Sequence, residues 1–117
     1  MSFSSHIQIE NFDSSMVVTI KESRVYDEML VNHITEEIHA SLDSNEKEKV
    51  VLDFGNVTYL SSSFLGKIIG INKKTKAKSQ RLILCGINAD IMEIFQITKL
   101  EKFFTFTNTK DEALAIL

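Results

Sequence analysis

Two short apolar runs, Val50-Val51-Leu52-Asp53-Phe54 and Leu82-Ile83-Leu84-Cys85, constrain this chain more than any other feature. Each is rich in branched side chains and apolar at successive positions, so both faces of the strand must be covered. Each stops at a glycine, Gly55 or Gly86, and the segment between them has the period of a helix. Buried strands alternating with helices call for right-handed crossovers and a mainly parallel sheet.

The rest of the chain fits around that unit. Ile7 and Ile9 mark a first strand ending near Asn11, Asp13-Ser14-Ser15 a turn, and Met16 to Ile20 a second strand. Together they predict an antiparallel hairpin at one edge of the sheet. From Asp27 the period changes: Leu30, Ile34 and Ile38, with Val31 alongside, share one helical face, and Glu36, Glu37 and His39 fall away from it. Residues 43–48 are polar and read as a loop. Leu65, Ile68, Ile69 and Asn72 predict a second helix, and Ile91, Ile94 and Phe95 a third. Phe103 to Thr107 reads as the last strand and Asp111 to Leu117 as a terminal helix. The fold class is therefore α/β: one domain over residues 1–117, with a mixed, mostly parallel sheet of about five strands and four helices. A chain with 44% hydrophobic residues can bury a sufficient core at this length without disulfides or metals.

Several function classes find no support. A net charge of −3 gives no reason to expect nucleic acid or an anionic membrane. The start MSFSSHIQIE lacks a basic segment followed by an apolar one, and no apolar stretch approaches the ~20 residues of a membrane-spanning helix. The expectation is a cytoplasmic protein with no membrane insertion. Cys85 is the only cysteine and lies inside an apolar run, which suits a small buried hydrophobe. There is no Gly-rich phosphate cradle of either common spacing. His6, His33 and His39 are scattered, the last two six residues apart and so on different helical faces, with no cysteine beside them to complete a metal site. Asp53 resembles the strand-end acid of a phosphoryl-accepting receiver. The acidic pair such domains place after their first strand is missing, however, since Ile20 is followed by Lys21. Asp53 is expected to be structural. Neither a catalytic constellation nor a cofactor is predicted.

The informative segment is Val57 to Gly66, which holds three consecutive serines, Ser61, Ser62 and Ser63, where the loop turns into the second helix. One serine there suits an N-cap, because its hydroxyl accepts a bond from an otherwise unpaired helix N–H. Three exceed that need. A helix N-terminus also favours a phosphate, through its free N–H groups and the positive end of its dipole. One of the hydroxyls is thus a candidate phosphate acceptor. Further along, no Asp or Glu occurs between Asp53 and Asp90, whereas Lys67, Lys73, Lys74, Lys76, Lys78 and Arg81 all do. These cations either complement the negative end of the helix or steer an acidic partner.

These residues resemble the STAS domains of bacterial anti-sigma factor antagonists, in which a strand like Val-x-Leu-Asp-Leu leads through a short loop into Asp-Ser-Ser/Thr-Gly-Leu-Gly. Here Val50 to Leu60 is followed by Ser61-Ser62-Ser63-Phe64-Leu65-Gly66, and Phe104-Thr105-Phe106 with Lys110 to Leu114 is similar to the family's last strand and helix. The resemblance implies a protein-binding switch rather than an enzyme, with an anti-sigma factor serine kinase as partner. The family's acceptor serine falls on Ser62 when the motif is anchored on Leu65-Gly66, and Ser63 takes the following Ser/Thr position. Asp27 matches an acidic residue near the acceptor. Ser61 and Phe64 stand where the family has its aspartate and glycine, and Arg24 replaces a turn glycine. The expected partner surface comprises Asp27, Ser61, Phe64 and Lys67, with Phe64 at least partly exposed as an anchor, and a weak homodimer as a further association. The other reading of Phe64 is a core residue beside Leu65. STAS domains also serve as constitutive subunits of signalling, transporter and lipid-transport assemblies, and the changes at Ser61 and Phe64 favour that second function.

Overall fold

The computed structural model describes residues 6–116, so the first half of MSFSSHIQIE and Leu117 lie outside the described residues; the last helix, expected to reach Leu117, already ends at Ala115, with Ile116 extended. Strand β1 (Ile7–Asn11) folds back antiparallel on β2 (Ser15–Ile20), with Ile7 opposite Ile20. The chain then crosses through α1 (Glu28–Asp43) to β4 (Lys49–Asp53), through α2 (Ser62–Ala77) to β6 (Arg81–Cys85), and through α3 (Ala89–Ile97) to β7 (Thr105–Thr107). Each new strand lies parallel beside the previous one, giving the order β1-β2-β4-β6-β7. A terminal helix, α4 (Lys110–Ala115), follows. This is the mixed five-stranded sheet with four helices that the apolar pattern implies.

Alternation along the strands feeds two separate cores. Val18, Ile20, Val50, Leu52, Leu82 and Leu84 pack under α1, α2 and α3. The residues between them, Val17, Val51, Ile83 and Cys85, face the other way and meet Ala113, Leu114 and Ile116 at α4. Cys85 is indeed a buried hydrophobe. Burial, together with the neighbouring Asp53 carboxylate, pushes its thiol up to about 12, far from thiolate chemistry.

Three details differ from the sequence reading. The strand expected from Phe103 begins only at Thr105, because Glu101–Phe103 forms a single 3-10 turn after α3. Asp43, expected in a loop, closes the last turn of α1 and pairs with Lys74 at 2.6 Å. A second sheet, of two residues per strand, joins β3 (Arg24–Val25) in parallel to β5 (Tyr59–Leu60). Strands that short carry no readable period.

The short α4 is held at its end by a buried cation. Lys49 Nζ donates to the carbonyls of Ala113 and Leu114, each at 3.0 Å, and to that of Ile116. A six-residue helix has little stability of its own, and an ammonium on its last carbonyls complements the dipole. Lys49→Met is expected to cost about 1.5–3 kcal/mol, the range for hydrogen bonds to a charged group. Urea unfolding checks the magnitude. Hydrogen exchange should show α4 opening ahead of the sheet, and unchanged protection there would refute the tether.

Candidate functional site

The start of α2 is fixed from both sides before any serine takes a role. The Thr58 N–H donates to the Ser23 carbonyl at 2.7 Å, and the Ser61 N–H to the Val25 carbonyl at 2.9 Å. From the other side, Asn88 caps α3 through its Oδ1 and also donates its amide to the carbonyls of Val57 and Thr58. Residues 57–61 are therefore clamped between β3 and the start of α3.

The three serines then separate into three environments. Ser61 is the N-cap: its Oγ accepts the Phe64 N–H at 3.2 Å. Ser63 donates its hydroxyl to Glu28 Oε1 at 2.9 Å, bridging the first turns of α1 and α2. Ser62 is the first helical residue, exposed, and its hydroxyl has no hydrogen-bond partner among the described residues. Asp27 caps α1, accepting the Leu30 N–H at 3.1 Å, and lies between Val25 and Glu28, both of which contact the serine segment. The structure thus brings Asp27, Ser61, Ser62 and Ser63 together. Lys67 is half-buried, one turn further along α2.

Phe64 does not fit the expectation of an exposed anchor. Its side chain is 0% exposed, in the core with Leu65, Ile68 and Ile71. Leu65 and Ile68 are buried as expected, but Phe64, Ile71 and Thr75 complete the buried stripe, while Ile69 and Asn72 are only half-buried. Gly66 takes the outward position, with open space where a Cβ would stand. A fully buried ring cannot anchor a partner, and the core reading of Phe64 is the correct one.

The exposed aromatic surface lies next door, on residues the sequence did not single out as a surface. Pairing of β3 with β5 sets Arg24 opposite Tyr59. Tyr26 and Tyr59, 54% and 47% exposed, meet edge to face with ring centroids 6.1 Å apart. The Arg24 guanidinium lies 5.3 Å and 5.5 Å from the two centroids, within cation–π range. Met29, in the first turn of α1 beside Glu28, is 67% exposed. In the sequence Arg24 stands out only as a departure from a motif glycine. Two tyrosines flanking the serine loop are a signal that points here once the loops are known to pair.

A model of the STAS domain matches residues 6–113. The chain belongs to the STAS domain family. Among curated relatives, the candidate anti-sigma factor antagonist BtrV of Bordetella bronchiseptica is 30% identical over 79 residues, covering 68% of this chain and 67% of that protein. Two solved structures show the same fold at low identity. An anti-sigma-factor antagonist STAS domain protein from Planctomyces limnophilus superposes with a TM-score of 0.79 at 23% identity, over 92% of this chain and 94% of the other. The antagonist SpoIIAA, in its unphosphorylated form, gives 0.75 at 20% identity, with 92% of each chain covered. SpoIIAA, a Bacillus cell fate determinant, has also been solved phosphorylated.

Elsewhere in this STAS domain, Asp53 accepts the Gly55 N–H at 2.8 Å, a turn-forming role at the end of β4. Two of the histidines read as scattered come together: His6 stacks on His33 with centroids 6.0 Å apart, and its Nδ1 lies 3.0 Å from Glu22. Among the described residues, no group of three or more His, Cys, Asp or Glu could hold a metal ion. No described helix is long and apolar enough to cross a membrane.

Proposed function

We propose that this STAS domain is an anti-sigma factor antagonist: a cytoplasmic protein-binding switch that sequesters an anti-sigma factor with serine kinase activity and is released by phosphorylation of Ser62. The observation that carries this reading is the free, exposed Ser62 hydroxyl at the first position of a sixteen-residue helix. Ser61 is used as a cap. A phosphate on Ser63 would set a dianion against the Glu28 carboxylate that its hydroxyl now contacts. Ser62 meets neither obstacle, and α2 has no acidic residue in its first turn. The dipole and the free N–H groups tolerate the new charge locally, so the fold persists. A partner seated over Ser62, Tyr26, Tyr59 and Met29 does not tolerate it, because it would have to desolvate the phosphate. Relatives named as antagonists support the same reading.

Ser62→Asp should weaken binding to the cognate kinase by at least tenfold, about 1.4 kcal/mol, with little change in thermal stability. Ser62→Ala should bind normally and resist inactivation by the kinase. Titration calorimetry of both variants, with intact mass after co-expression with the kinase, makes the test. Equal affinities and no added phosphate would favour the second reading, a constitutive STAS scaffold subunit. One observation supports that alternative: the family's acid before the acceptor is here the neutral cap Ser61.

A further inference from the structure

The second half of α2 borders a groove that the proposed switch does not use. On one side stand Ile69 and, one turn on, Lys73 and Lys76; on the other, the segment Leu100–Phe104 that links α3 to β7. Ile69, Leu100, Phe103 and Phe104 form apolar walls around a cavity of about 310 Å³, the size of a small-ligand pocket and too small for the interface of a folded partner. The walls are built rather than incidental. Phe104 packs edge-on against the buried Phe95, with centroids 5.5 Å apart, and the Asn72 amide donates to the Phe103 carbonyl at 3.3 Å. That bond occupies the one neutral polar side chain of the lining. Phe103 nevertheless remains 60% exposed, an aromatic ring at the rim of an apolar cavity.

Charge selects the occupant. The other cations of this helix end are engaged: Lys74 pairs with Asp43, and Lys78 donates to the Leu42 and Asn45 carbonyls. Lys73 and Lys76 have no ion-pair or hydrogen-bond partner among the described residues, and both line the cavity. The stretch between Asp53 and Asp90 contains no carboxylate to neutralise them; Glu101, in the 3-10 turn, is exposed and is not part of the lining. Lysine stems lie readily along apolar surface while their ammonium groups stay in water, ready to receive an anion. We infer that this groove binds a small amphipathic carboxylate, its aliphatic tail between Ile69 and the two phenylalanines and its head group on Lys73 and Lys76. The inference stands whether or not Ser62 is a phosphate acceptor.

Sodium decanoate below its micelle concentration is the probe, followed by amide chemical-shift titration of the full chain. Saturable shifts confined to residues 69–76 and 100–104 are expected. Decanol should bind at least fivefold more weakly, and the double variant Lys73→Gln/Lys76→Gln at least tenfold more weakly with its own spectrum intact. Phe103→Ala, which removes an exposed ring, should also lose at least fivefold. Three results would each overturn the inference: shifts scattered over the surface, equal affinity for decanol and decanoate, or an acidic amphipathic peptide that shifts these amides when decanoate does not.

Discussion

Phe64→Ala is expected to destabilise the fold by about 3–5 kcal/mol, the range for removing a buried aromatic ring. The ring is completely enclosed, and its neighbours Ile68 and Ile71 are held on the same rigid helix face. They cannot collapse into the space left behind, so the loss combines transfer energy with an unfilled cavity. Against a total stability of about 5–15 kcal/mol this is a large share, and it should appear as a lower urea midpoint at nearly constant slope. Below the new midpoint, partner affinity should be close to that of the unaltered chain, since no part of the ring reaches the surface. Lost affinity with unchanged stability would restore the anchor role that its burial contradicts.

Gly86→Ala should be nearly as costly, about 2–4 kcal/mol, from left-handed backbone strain of about 1–2 kcal/mol together with overpacking. Gly86 has φ +72°, and a Cβ there would lie 2.8 Å from the Gly55 nitrogen and 2.9 Å from its Cα. Both atoms belong to the Gly55 backbone, just past the end of β4, so rotating a side chain cannot make room. The damage should also travel. Asn88, two residues on, both caps α3 and holds the Val57 and Thr58 carbonyls, which fix the loop leading to Ser61. Thermal melting gives the magnitude, and amide shifts at residues 57–62 report the displacement. Shifts confined to residues 85–87 would show that the two loops are not coupled.

The layered architecture was legible because Val50–Leu52 and Leu82–Cys85 are apolar at successive positions, which a strand covered on both faces tolerates. The phase of α2 was not. Leu65 and Ile68 belong to the buried face as expected, but a stripe continuing through Ile69 and Asn72 and one continuing through Ile71 and Thr75 are equally acceptable in sequence; packing against the sheet chooses the second. Ser61, Ser62 and Ser63 were recognisable as a helix start, yet their division into cap, free hydroxyl and Glu28 donor depends on α1 lying alongside. The Arg24–Tyr26–Tyr59 cluster was hidden for a related reason. Its two tyrosines are 33 residues apart and meet only through strands of two residues each.

The strand order has a consequence for chemistry. In doubly wound sheets the order reverses part-way, and crossovers leaving in opposite directions open a crevice at the strand ends, where nucleotides and substrates bind. Here the order β1-β2-β4-β6-β7 advances in one direction along the whole chain. Successive right-handed crossovers therefore put α1, α2 and α3 on the same face, and only α4, which follows the last strand, reaches the other. The sheet has no topological switch point. Where such a crevice would open, the backbones at Gly55 and Gly86 close on each other too tightly to admit even a methyl group.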